Sequence, residues 1–193
     1  APNEHVDVFV NHTLWNREDD MVLFYARAGE QWGGVGKSLN CAFTMRPDGS
    51  ELTYHGFVGG HPEWAPGARI IAEGDDGLRV YDARAREYVG TIGDKSIFYN
   101  ATGDKALSPD ARWLVHGNCV RTGDGRFHEY AFYRMPDGPH VVSGRFSRGT
   151  YVGGDLRLDS APCWNRDGTR VVVPGIADDG TRQMFLLSLV GEA

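Results

Sequence analysis

One short pattern occurs four times in this chain, and it restricts the possible folds more than any other feature. The four copies are His12-Thr13-Leu14-Trp15-Asn16-Arg17-Glu18-Asp19-Asp20, His61-Pro62-Glu63-Trp64-Ala65-Pro66-Gly67, Asp104-Lys105-Ala106-Leu107-Ser108-Pro109-Asp110 and Ala161-Pro162-Cys163-Trp164-Asn165-Arg166-Asp167-Gly168. Each is followed by a strand-like run: Met21-Val22-Leu23-Phe24-Tyr25, Ala68-Arg69-Ile70-Ile71-Ala72, Ala111-Arg112-Trp113-Leu114-Val115 and Thr169-Arg170-Val171-Val172-Val173. Each copy therefore reads as a short strand, a tight turn and a second strand. Pro fixes φ for the turn, while Gly and Asp tolerate the left-handed backbone it needs. Aligned on the turn, Arg17, Pro66, Pro109 and Arg166 fall in register, at separations of 49, 43 and 57 residues.

Between the copies lie further hairpins. Leu39–Met45 and Glu51–Tyr54 flank Pro47-Asp48-Gly49, Leu78–Asp82 precedes Tyr88-Val89-Gly90, and Glu129–Met135 and His140–Val142 flank Pro136-Asp137-Gly138. Gln183–Leu189 begins a fourth such half. No stretch keeps a helical period for three turns. The 26 glycines suit an all-β chain with many short connections. A repeat of roughly 40–50 residues built from four-strand units is the signature of a β-propeller. The expectation is one all-β propeller segment over 1–193, with blades near 5–57, 58–93, 97–146 and 155–190 and up to four antiparallel strands in each. The last blade lacks an outermost strand, so the segment reads as part of a six- to eight-bladed ring whose further blades come from the same parent chain.

Net charge is −6, which leaves no basic footprint for nucleic acid. No apolar run approaches the ~20 residues that span a bilayer, so no membrane partner is expected. Cys41, Cys119 and Cys163 are widely spaced and form no CxxC. Free thiols are expected, which fits the cytoplasm better than the periplasm.

At the turn cores, Ser108-Pro109-Asp110-Ala111-Arg112-Trp113-Leu114-Val115 and Asn165-Arg166-Asp167-Gly168-Thr169-Arg170-Val171 resemble TolB-like propellers. Asn11-His12-Thr13-Leu14-Trp15 and His61-Pro62-Glu63-Trp64 resemble blades of the oligogalacturonate lyase type. The resemblance implies a divalent metal near the axis, held by histidines and a glutamine at inner-strand starts. His61 matches one such start, whereas Ala161-Pro162-Cys163 stands where the family carries further histidines.

Counting back five residues from each turn gives His12, His61, Asp104 and Ala161. Equal offsets in equivalent strands imply equal facing, so His12, His61 and Asp104 form a candidate set for a divalent metal, Mn or Zn. Each His equally fits a capping or inter-blade hydrogen-bonding role. Lys105 is the candidate base for β-elimination beside a carboxylate. Arg145 and Arg148, in the longest insertion, are candidate partners for an anionic saccharide, and Trp32 offers a ring for sugar stacking. Trp15, Trp64 and Trp164 are expected between blades. Two functions follow: a carbohydrate-active propeller, a metal-assisted lyase on uronate-containing oligosaccharides, or a non-catalytic TolB-like binding or scaffolding module. The ligand in either case is an oligosaccharide or another small anionic molecule.

Overall fold

The computed structural model describes residues 7–18, 20–29, 38–100 and 103–189. Among these, every regular element is a strand. The first sheet runs β1 (Phe9–Trp15), β2 (Val22–Ala28), β3 (Leu39–Met45) and β4 (Thr53–Gly56), each paired with its neighbour. The second runs β5 (Glu63–Ala65), β6 (Arg69–Glu73), β7 (Leu78–Asp82) and β8 (Glu87–Ile92). In the third, β9 (Lys105–Leu107), β10 (Trp113–Thr122), β11 (Gly125–Arg134) and β12 (His140–Val142) form the path, and β13 (Phe146–Ser147) also pairs with β11. The fourth comprises β14 (Cys163–Trp164), β15 (Arg170–Ile176) and β16 (Arg182–Ser188). Four sheets that each run in sequence order are the propeller pattern; the fifth strand of the third sheet exceeds the four expected, because the long β11 outlasts β12 and accepts a second partner.

The repeated turn is visible in the ladder. Asn16, Ser108 and Asn165 each donate their backbone N–H to the carbonyl five residues on, at 2.9, 2.7 and 2.9 Å. Trp15, Leu107 and Trp164 pair with Val22, Leu114 and Val171, whereas Trp64 pairs with Ile70. The second turn, around Pro66-Gly67, is thus one residue shorter.

The chain divides into two compact units, 1–72 with 80–90 and 73–79 with 91–193. In the first, Leu23, Tyr25, Ala42, Val58, Trp64, Ile70, Ala72, Tyr81 and Ala83 make one buried cluster. In the second, Val115, Tyr130, Phe132, Val171 and Val173 make another, with Phe146, Trp164 and Phe185 packed on it. Alternate residues of β11 and β15 supply this core, as strand geometry requires. Burial of such apolar surface contributes roughly 25 cal/mol per Å², so both clusters stabilise their units.

The expectation for the three tryptophans is met unevenly. Trp64 is 7% exposed, Trp164 is half-buried, and Trp15 is 57% exposed. Trp15 stands in the first strand of the first sheet, and no earlier sheet precedes it among the described residues.

Candidate functional site

Three of the four positions five residues before the turn share a backbone conformation. His12, His61 and Ala161 all take positive φ, at 50°, 47° and 23°. Around His12 the β1–β2 register shifts between Asn11 and Leu14, so the strand bulges there. The left-handed region is uncommon for residues with a Cβ, though His enters it more readily than most, and bulges re-aim side chains. In the first unit this brings the His12 and His61 rings into edge contact, with centroids 5.3 Å apart at 77°. His12 also meets the edge of buried Tyr25, at 6.0 Å. Tyr25 donates its hydroxyl to the Gly59 carbonyl at 2.5 Å, tying β2 to the segment that leads into His61.

Two imidazoles at this separation are within reach of one ion, given metal–nitrogen bonds of about 2.0–2.1 Å. Among the described residues no group of three or more His, Cys, Asp or Glu side chains is placed to hold a metal. Asp104 belongs to the second unit, and its carboxylate is engaged locally. Its Oδ2 accepts from the Ser160 hydroxyl and from the Ala161 backbone N–H, both at 3.1 Å, while the Asp104 N–H donates to Ser160 Oγ at 3.1 Å. This clamp fastens the start of the third sheet to the start of the fourth. It needs close backbone approach: a Cβ on Gly103 would lie 1.8 Å from the Gly117 carbonyl oxygen.

Lys105 is 6% exposed and sits in β9 opposite His116. Arg145 pairs with Glu129 at 3.2 Å, and Glu129 also accepts the Tyr99 hydroxyl at 2.7 Å. Burial, and then that carboxylate, push the Tyr99 hydroxyl pKa upward. Arg148 donates to the Leu158 carbonyl at 3.1 Å and reaches Cys119 Sγ at 3.9 Å. Both arginines therefore brace the insertion. Trp32 lies outside the described residues. All three cysteines are free.

Sequence reasoning gave no role to His128. It stands opposite Cys119 in the β10–β11 ladder, is 1% exposed, and neither ring nitrogen has a hydrogen-bond partner among the described residues. Burial, helped by the nearby Arg148 and opposed by Asp104 and Asp159, holds its pKa down at about 4. Only its alternation with Tyr130 and Phe132 along β11 signals an inward side chain.

The tryptophan two residues before the turn has a fixed job. Trp64 donates its indole N–H to the Leu14 carbonyl at 3.1 Å, and Trp164 donates to the Ala106 carbonyl at 3.0 Å. Leu14 and Ala106 are each three residues before their own turn, so one sheet-to-sheet bond occurs at two equivalent places. The chain folds as β-propeller blades. In agreement, it is similar to a solved acylaminoacyl peptidase in complex with Z-Gly-Gly-Phe-chloromethyl ketone, with a TM-score of 0.55, 11% identity and 94% of this chain covered. It is also similar to a protein assigned as TolB from Agrobacterium tumefaciens, with a TM-score of 0.46, 17% identity and 86% covered. At such identities the likeness concerns the fold alone. The chain spans 33% of the length of the first and 57% of the second. No family model matches, and no curated protein matches.

Proposed function

We propose that this propeller chain is a non-catalytic binding module. The observation that carries the reading is the employment of Asp104, whose carboxylate serves the Ser160 hydroxyl and the Ala161 N–H. A lyase would need that end of the strand open to substrate. Lys105, the candidate base next to it, is buried. The ligand class this reading favours is an anionic oligosaccharide. The test is to incubate the chain with oligogalacturonate, following both binding by calorimetry and the unsaturated product of β-elimination by ultraviolet absorbance. Saturable heat without product supports the module; steady product formation overturns it.

The contact of His12 with His61 favours a second reading, a divalent-metal site of the lyase type. Two imidazoles supply part of such a site, and the resemblance to lyase blades supplies the rest of the case. Titration with Mn²⁺ or Zn²⁺ of the parent and of His61→Ala separates the readings: heat lost in the variant supports the metal site, and equal heats leave the binding module.

A further inference from the structure

The first unit holds a cavity of about 460 Å³ that none of the candidate site residues above lines. Its wall includes three arginines, Arg46, Arg84 and Arg86, together with Glu51, Thr44 and Thr53. In a chain of net charge −6 this is a local reversal of sign. The volume falls in the range of about 300–1,000 Å³ usual for small-ligand sites.

Sequence explains how the cations gather. Thr44 is the penultimate residue of β3 and Arg46 follows the strand's last residue, while Thr53 opens β4. Arg84 and Arg86 come from the turn Asp82–Arg86 between β7 and β8. Asp82 builds that turn: its carboxylate accepts the N–H groups of Arg84 and Ala85, both at 2.9 Å, and its carbonyl accepts the Arg86 N–H at 2.7 Å. Arg86 sits at φ 61° at the end of it. The turn's own carboxylate is thus occupied with backbone donors, and both arginines, two residues apart, line the same hollow.

The charges divide in a way that matters. Arg46 is paired with Glu51 at 3.1 Å. Arg86 instead acts on a buried polar chain behind Thr44. The Thr44 hydroxyl meets His55 Nε2 at 2.8 Å, and His55 Nδ1 meets the Tyr81 hydroxyl at 3.1 Å. Burial first, and the Arg86 charge second, hold the His55 pKa below its ordinary value. The same guanidinium opposes the rise that burial gives Tyr81. Arg86 also lines the cavity, where a guanidinium offers forked donors matched to a carboxylate or phosphate.

We propose that this cavity binds a small oxyanion, a carboxylate or phosphate group, at the arginines that line it, Arg84 and Arg86. The site is separate from the uronate-binding reading above and stands or falls without it.

The test titrates the full chain with inorganic phosphate and, separately, with galacturonate, at constant ionic strength set by chloride, while the His55 imidazole protons are followed by NMR. Saturable binding of either anion supports the proposal, and the arm that saturates names the group. The expected result is loss of affinity by tenfold or more in Arg86→Gln. A gain is expected in Glu51→Gln, where the carboxylate competing for Arg46 is gone. A destabilised protein cannot mimic that change of sign. Because a bound anion cancels the Arg86 charge, the His55 pKa should rise on saturation. Neither anion saturating, or equal affinities in the parent and Arg86→Gln, or shifts matched by chloride alone, would overturn it.

Discussion

Where the first sheet meets the second, Trp64 reaches back to the Leu14 carbonyl; where the third meets the fourth, Trp164 reaches back to that of Ala106. The indole bond is the same, but its surroundings differ. In the first pair, Asn16 donates to the Gly67 carbonyl at 2.7 Å, Glu18 accepts the Gly67 N–H at 2.8 Å, and the positions five before the turn hold two touching imidazoles. In the second pair those positions hold a carboxylate and the backbone N–H it accepts. What repeats is a hydrogen bond from a rigid aromatic to a backbone carbonyl in the first strand of the preceding sheet. What varies is the slot beside it, which couples neighbouring sheets by whichever polar chemistry the local backbone allows. Equivalent position therefore predicts contact between neighbours, and does not by itself predict a shared ligand.

The comparison can be broken most forcibly at the tryptophans. Trp64→Ala removes a buried ring and its bond, and should cost about 3–5 kcal/mol. Trp164→Ala, with the ring half-exposed, should cost visibly less, and Trp15→Ala no more than about 0.5 kcal/mol, as surface changes do. Denaturant titrations of the three variants give the ranking. Equal losses at 15 and 64 would remove the distinction between an engaged and an exposed tryptophan.

A second effect belongs to the second unit. His128 is held neutral by burial, with its pKa near 4, whereas an unfolded His titrates near 6.5. Between these values the unfolded chain binds a proton that the folded chain refuses, so stability falls as pH drops from about 6.5 to 4. The loss approaches about 3 kcal/mol at the acid end, at 1.36 kcal/mol per pKa difference of one. Melting the parent and His128→Phe across this range measures it; an identical pH slope in both would show that His128 is not the source.

The Asp104 clamp is weaker. Asp104→Ala leaves the Ala161 N–H and Ser160 hydroxyl without their acceptor, which costs about 1–3 kcal/mol. His61→Ala, which breaks a ring contact worth about 0.5–1.5 kcal/mol, should cost no more. Thermal melts of the two variants side by side sharpen the contrast between the slots. A larger loss at His61 than at Asp104 would invert it.

Much of this architecture is legible in the sequence because the turns are written in residues with strict backbone preferences. Asp167-Gly168 and Pro109-Asp110 mark their hairpins, and the strand runs after them are β-branched or aromatic. The sheets follow in order, with the second turn one residue shorter than the alignment implied. The candidate site was less legible for a physical reason. Offset in a strand fixes which face a side chain takes, but not what waits there. Ser160 and the Ala161 N–H reach Asp104 from 56 and 57 residues away. Trp15 shares the repeat position of Trp64, and its exposure follows from having no preceding sheet among the described residues to receive its N–H.

The central claim is that the tryptophan two residues before the turn fastens its sheet to the one before. Hydrogen exchange of the indole N–H protons, resolved by NMR and assigned through single Trp→Phe variants, tests it directly. The account predicts slow exchange for Trp64 and Trp164, whose protons are held by the Leu14 and Ala106 carbonyls, and fast exchange for Trp15. Exchange of Trp64 and Trp164 as fast as that of Trp15 would contradict it.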